Sequence, residues 1–138
     1  PGKRPAHTLN AFTAVRPDGT LYLVGGTPGA NIQVQSNLQL ITNMVDLKMN
    51  VQEATEAPRW QHLNASGQSS EEEKGLGVLE IENRVSEEVF EQLRAKGHEV
   101  KALPAWGHGS SVQMMEVLAN GTFAFGSDPR CEGHASGI

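Results

Sequence analysis

From Leu21 to Gln35 the chain reads L-Y-L-V-G-G-T-P-G-A-N-I-Q-V-Q. A short apolar run enters a turn with three glycines and a proline, and a stretch with helical spacing follows. A strand, a glycine turn and a helix in that order leave backbone N–H groups free at the helix start. Such donors bind anions, or stabilise an oxyanion as charge develops on a carbonyl under attack. The G-x-G-x-x-G pattern is absent, and so is a P-loop with its lysine, which argues against a nucleotide phosphate. The spacing alone also fits a plain tight turn that needs only conformational freedom.

Other candidate chemistry is sparse. The five histidines, His7, His62, His98, His108 and His134, form neither H-x-x-x-H nor H-E-x-x-H, so no metal site is expected. A single cysteine, Cys131, excludes an intrachain disulfide and a cysteine-based metal framework. Serines pair at Ser69-Ser70 and Ser110-Ser111, but there is no G-x-S-x-G elbow. Gly107-His108-Gly109-Ser110 reads as a mobile loop rather than a nucleophile. Asn64-Ala65-Ser66 and Asn120-Gly121-Thr122 match the glycosylation sequon, a pattern short enough to arise by chance. Local patterns thus supply a donor loop without a nucleophile.

The elements that must hold this loop can be placed from periodicity. The 138 residues suit one domain or a piece of one. Pro17-Asp18-Gly19 is a turn joining residues 8–15 to a second strand, Leu21 to Val24, whose apolar run suggests burial on both faces. Residues 31–48 have helical spacing, with Val34, Leu38, Ile41 and Val45 in one stripe, widened by Leu40, Met44 and Leu47. Asn50 caps a second helix over 51–57, stopped by Pro58. Strands follow at 59–63 and 78–81, with Trp60 expected in the core, and a polar surface loop covers 64–77. Ser86 starts a helix whose buried face is Val89, Phe90 and Leu93, ended by Lys96-Gly97. A strand at 98–103 and a hairpin of 111–118 with 122–125, around a type I′ Asn120-Gly121 turn, complete the pattern. Residues 126–138 read as a polar end. The class is α+β.

Net charge −5 argues against sequence-blind nucleic-acid binding, and no segment approaches the about 20 apolar residues of a membrane helix. The acidic runs Glu71-Glu72-Glu73 and Glu87-Glu88 read as solvated faces.

Several segments together resemble the γ-glutamyltransferase family. They are P-G-K-R-P at 1–5, G-G-T-P-G-A-N-I-Q-V-Q-S-N-L-Q at 25–39, N-V-Q-E-A-T-E-A-P-R-W at 50–60, L-R-A-K-G-H-E-V at 93–100 and G-S-D-P-R at 126–130. Their order fits the C-terminal part of the family's small subunit, so residues 1–138 are expected to be that portion. The resemblance implies a four-layer αββα sandwich shared with a large subunit and with the N-terminal part of the small subunit. It implies an N-terminal threonine nucleophile, an acyl-enzyme, a small-molecule amide substrate and no cofactor.

Within that resemblance, Pro28-Gly29-Ala30 matches the oxyanion-hole turn, with the Gly29 and Ala30 N–H groups as donors. Ala30 stands where glycine is usual. His7 and Thr8 stand where the family holds the glutamyl α-carboxylate with a serine pair, and Asn31-Ile32-Gln33 replaces the usual arginine-bearing segment. These departures are more similar to the acylase-like branch. The family's threonine lies upstream of the K-R-P segment, and Pro1 offers a secondary amine and no hydroxyl. The chain alone is therefore expected to be inactive and, with sandwich surfaces uncovered, to self-associate. The resemblance leaves the compartment open between exported and cytoplasmic. The alternative from another class is a non-catalytic module that binds a carboxylate at Gly29 and Ala30.

Overall fold

The computed structural model describes residues 1–4, 9–63 and 77–136. Strands β1 (Phe12–Val15) and β2 (Leu21–Gly26) form a hairpin, and a 3-10 turn (Ala30–Ile32) leads into α1 (Gln33–Val45) and α2 (Val51–Glu56). Then come β3 (Trp60–Leu63), β4 (Val78–Glu82), α3 (Glu87–Ala95), β5 (Glu99–Leu103), β6 (Gln113–Val117) and β7 (Phe123–Ser127). One antiparallel sheet has the order β1-β2-β6-β7, and a second has the order β3-β4-β5. In the second sheet β4 and β5 are parallel, a pairing that requires the crossover α3 supplies. The α+β class is as the sequence indicates. The polar loop expected over 64–77, with its sequon and acidic run, lies almost wholly outside the described residues.

Capping follows the sequence closely. Asn50 accepts from the N–H groups of Gln52 and Glu53, and Glu53 accepts from the Asn50 N–H in return, a full capping box. Ser86 opens α3 without a side-chain cap bond. The Asn120-Gly121 turn differs from the type I′ expected. Gly121 alone takes a positive φ, 81°, and its N–H donates to the Leu118 carbonyl. The Arg16–Thr20 turn repeats this arrangement, with Gly19 at φ 83°. In both, the side chain two residues before a threonine accepts from its N–H and hydroxyl: Asp18 from Thr20, Asn120 from Thr122. That bond holds the Asx residue right-handed and leaves the left-handed position to glycine.

The core joins the first sheet to α1 and α2 through Leu23, Leu40, Met44, Val51, Ala54, Val112 and Met114. Three expectations fail against it. The Val34–Leu38–Ile41–Val45 stripe does not face the core: Val34 and Leu38 are 63% and 59% exposed, and the buried face is Gln33, Ser36, Asn37, Leu40 and Met44. Polar groups can line that face where backbone meets them, as where Asn37 Nδ2 donates to the Asn10 carbonyl at 2.7 Å. Strand β2 buries Leu23 but leaves Tyr22 and Val24 half-buried, so it is not covered on both faces among the described residues. In α3 only Phe90 is buried, and Val89 is exposed.

Trp60, expected in the core, is 37% exposed. The structure holds its backbone rather than its ring. Gln39 accepts from the Trp60 N–H at 3.1 Å and donates to its carbonyl at 2.9 Å. Gln35 does the same for His62, at 2.7 and 3.0 Å. Residues four apart on a helix rise about 6.0 Å, and residues two apart on a strand about 6.7 Å, so the two amides match alternate edge residues. Gln52 grips Ser127 of edge strand β7 in the same two-bond manner. Side-chain amides thus occupy edge positions that another strand would otherwise pair with. Replacing both Gln35 and Gln39 by leucine is expected to cost about 1–3 kcal/mol. It should also promote association, visible as a rise in mass by light scattering.

Candidate functional site

The glycine loop has an unusual backbone. Gly29 has φ 134° and Ala30 has φ 46°. A Cβ on Gly29 would stand 2.6 Å from Ile32 Cγ1, so both conformation and space require glycine there. The loop is tied down on each side. Thr27 Oγ1 donates to the Pro28 carbonyl at 2.7 Å and accepts from the Ser111 N–H at 2.9 Å, and the Ile32 N–H closes onto the Gly29 carbonyl at 3.0 Å. Among the described residues, the N–H groups of Gly29 and Ala30 donate to no protein acceptor.

Beside the loop lies a cleft of about 600 Å³, whose wall includes Asn10, Thr27, Pro28, Ala30, Gln33 and Ser111. Ala30 is therefore at the cleft and Gly29 is next to it. Asn31 is exposed and is not part of the cleft wall. His7 and Thr8 lie outside the described residues.

A second constellation, not anticipated as a site, sits where the sheets meet. Glu82 is fully buried. It accepts from the N–H groups of Arg59 and His108, from Arg84 Nη2 at 2.8 Å, and from Arg130 Nε and Nη2 at 2.6 Å each. Asp128, 1% exposed, pairs with Arg59 and Arg130 and accepts from the Val112 N–H at 2.8 Å. The two arginines also donate to the Thr55 and Ala57 carbonyls at the end of α2. Trp106, at φ 62°, covers the cluster, with Arg84 Cζ 3.5 Å and Arg130 Cζ 5.1 Å from its ring centroid. Residues from both sheets and α2 are thereby clamped together, and the 126–138 segment is not simply a polar end.

The Gly107–Ser110 segment is packed and not an open loop: His108 is 4% and Ser110 1% exposed. The Ser110 N–H donates to His108 Nδ1 at 3.1 Å, which makes that nitrogen an acceptor and places the proton on Nε2. Ser110 Oγ lies 2.7 Å from the same nitrogen and accepts from Arg59 Nη1 at 3.0 Å. Enclosed in this way, the hydroxyl is a structural link.

Burial, then the nearby Arg59 charge, pushes His108 down to about 4. Burial raises Glu82, but the bonds from Arg130 and Arg84 outweigh it and hold the carboxyl at about 2. Both shifts make the unfolded chain bind protons first on acidification, so folding stability falls as pH falls. His108 withdraws its contribution between its ordinary 6.5 and about 4, and Glu82 between 4.5 and about 2. Stability should be flat above pH 7 and drop by about 2–3 kcal/mol by pH 4.5. His108→Asn should flatten that first drop in urea midpoints measured against pH.

The clamp had a faint signal. Arg59 and Arg130 each follow a proline in the A-P-R-W and D-P-R segments, and Glu82 alternates with apolar residues in V-L-E-I-E. Nothing local distinguishes such charges from solvated ones. Among the described residues no group of three His, Cys, Asp or Glu could hold a metal ion, and no helix is long and apolar enough to cross a membrane.

The chain is similar in sequence and in fold to known proteins. A family model described as gamma-glutamyltranspeptidase matches residues 1–138. The glutathione hydrolase proenzyme of Escherichia coli strain K12 is 35% identical over 130 residues, covering 94% of this chain and 20% of that protein. The acylase ACY 1 proenzyme of Pseudomonas sp. strain V22 is 39% identical over 105 residues, 75% of this chain and 16% of that one. A gamma-glutamyltranspeptidase crystal structure from Helicobacter pylori superimposes with a TM-score of 0.76 at 26% identity, over 94% of this chain and 64% of that chain. The chain thus spans a fifth or less of the length of these two curated relatives.

Proposed function

The chain belongs to the gamma-glutamyltranspeptidase family, and from that premise we infer that it forms the oxyanion-stabilising wall of an enzyme that cleaves or transfers an amide-linked acyl group. One observation carries this reading. The Gly29 and Ala30 N–H groups, unused by any protein acceptor among the described residues, sit beside a cleft. Attack on an amide carbonyl puts negative charge on its oxygen, and two N–H groups held in place by the Thr27 bonds meet that charge without reorganising. The attacking group is an N-terminal threonine hydroxyl supplied from outside these residues. The acyl-enzyme then passes its acyl group to water or an amine. His7, Thr8 and Asn31 contribute substrate contacts, with the acyl group γ-glutamyl or related.

In this reading residues 1–138 are the C-terminal portion of a small subunit, completed by its N-terminal part and a large subunit. The relatives' name, proenzyme, supports a larger precursor. So does the exposed apolar surface: Val34 and Leu38 on α1, and Phe123 and Phe125 on β7. Separated from its partners, the chain would self-associate through these faces and have no activity.

The test is release of p-nitroaniline from acyl anilides by the whole protein and by the 138-residue chain. Turnover by the whole protein, lost when the N-terminal threonine becomes alanine and absent from the chain, supports the reading. Binding of glutamate or glutarate by the whole protein, with no anilide turned over, would replace it by a carboxylate-binding module.

A further inference from the structure

Each donor N–H in the loop shares a peptide plane with a carbonyl. The Gly29 N–H belongs with the Pro28 carbonyl, and the Ala30 N–H with the Gly29 carbonyl. No peptide bond is cis among the described residues. In a trans peptide the two groups point opposite ways, so whatever holds the carbonyl aims the N–H. The Gly29 carbonyl is held by backbone, accepting from the Ile32 N–H at 3.0 Å. The Pro28 carbonyl is held by a side chain, accepting from Thr27 Oγ1 at 2.7 Å.

The Pro28–Gly29 plane needs such a hold. Proline fixes its own φ but leaves ψ free, and glycine adopts φ of either sign, so the peptide between them turns at little steric cost. The hydroxyl that opposes this turn is itself fixed. Thr27 is 8% exposed, its branched side chain restricts χ1, and its oxygen accepts from the Ser111 N–H at 2.9 Å. Both neighbours of Ser111 are bonded to the buried ion network. Arg59 Nη1 donates to Ser110 Oγ at 3.0 Å and to the Ser110 carbonyl at 3.3 Å, and the Val112 N–H donates to Asp128 at 2.8 Å.

We propose that Thr27 is a positioning residue for amide cleavage: its hydroxyl, supported through Ser111 by the ion network, aims the Gly29 N–H at the oxyanion. Thr27 acts through the Pro28–Gly29 peptide and touches no reacting atom in this role. The assignment rests on the acyl-transfer reading above and adds a residue to it. A donor aimed before the reaction costs nothing to reorient as charge develops, and a donor free to turn loses that advantage. The loss falls on the transition state more than on the bound substrate, so it belongs in kcat and not in KM.

The experiment uses the whole enzyme with γ-glutamyl and glutaryl p-nitroanilides, and kcat is taken per cleaved precursor. Thr27→Val keeps the shape and removes the hydroxyl. It should lower kcat about 10–100-fold with KM within about threefold. Thr27→Ser, which restores the hydroxyl on a looser side chain, should return kcat to within about threefold of wild type and guards against a general effect of substitution at this position. Formation and breakdown of the acyl-enzyme both pass through an oxyanion, so the loss appears whichever step is slower. A valine variant with kcat within about threefold of wild type would overturn the assignment. So would a serine variant no faster than the valine one, or a valine variant altered in KM alone, and each of these leaves acyl transfer standing. A wild-type enzyme that turns over neither anilide would remove the acyl-transfer reading itself and this assignment with it.

Discussion

Glu82→Gln is expected to lower folding stability by about 3–5 kcal/mol, the cost of breaking one member of a buried ion network. The carboxylate accepts five hydrogen bonds and is fully buried. A glutamine keeps the shape but turns one acceptor into a donor, which then faces guanidinium N–H groups. Among the described residues Arg130 then keeps Asp128 as its one remaining counter-charge. Arg84 has no other ion pair among the described residues, though its contact with Trp106 remains. Urea denaturation of the whole protein measures the effect as a shift in midpoint. A loss under about 1 kcal/mol would mean that water reaches the cluster and that these pairs behave as surface ion pairs. Replacing Arg59 and Asp128 together by apolar residues should cost much less than removing either alone, because no buried charge is left unpaired.

The second large effect is on rate. Ala30→Pro removes one of the two proposed donors and should lower kcat for amide cleavage by the whole enzyme about 10²–10³-fold, equivalent to about 2.7–4 kcal/mol of barrier. Proline also fixes φ near −65°, far from the 46° of Ala30, so the loop shape changes with it. Ala30→Gly separates the two effects. It keeps the N–H, and it relieves about 1 kcal/mol of left-handed strain, so it should be at least as stable and retain kcat. If the proline variant keeps kcat within about tenfold, the Ala30 N–H does not hold the oxyanion.

Local contacts explain what the sequence by itself determined. The Asn50–Glu53 capping box, the Asp18 and Asn120 turns, the strand-to-helix junction at Gly25–Ala30 and the α+β class all depend on residues within a few positions of one another. Their geometry follows from bond lengths and rotamers and needs no knowledge of the rest of the chain. The quoted segments also carried the family, because several of them occur in one order.

The tertiary structure decided which surfaces meet. An apolar stripe on α1 states that a face is to be covered but not by what, and here the described residues cover the other face. Trp60, beside Pro58-Arg59, reads as core in the sequence, yet its position on edge strand β3 leaves it exposed. Arg59 meets Asp128 across 69 positions and Glu82 meets Arg130 across 48. A charge in a sequence reads as solvated until a fold brings its opposite within bonding distance and removes the water.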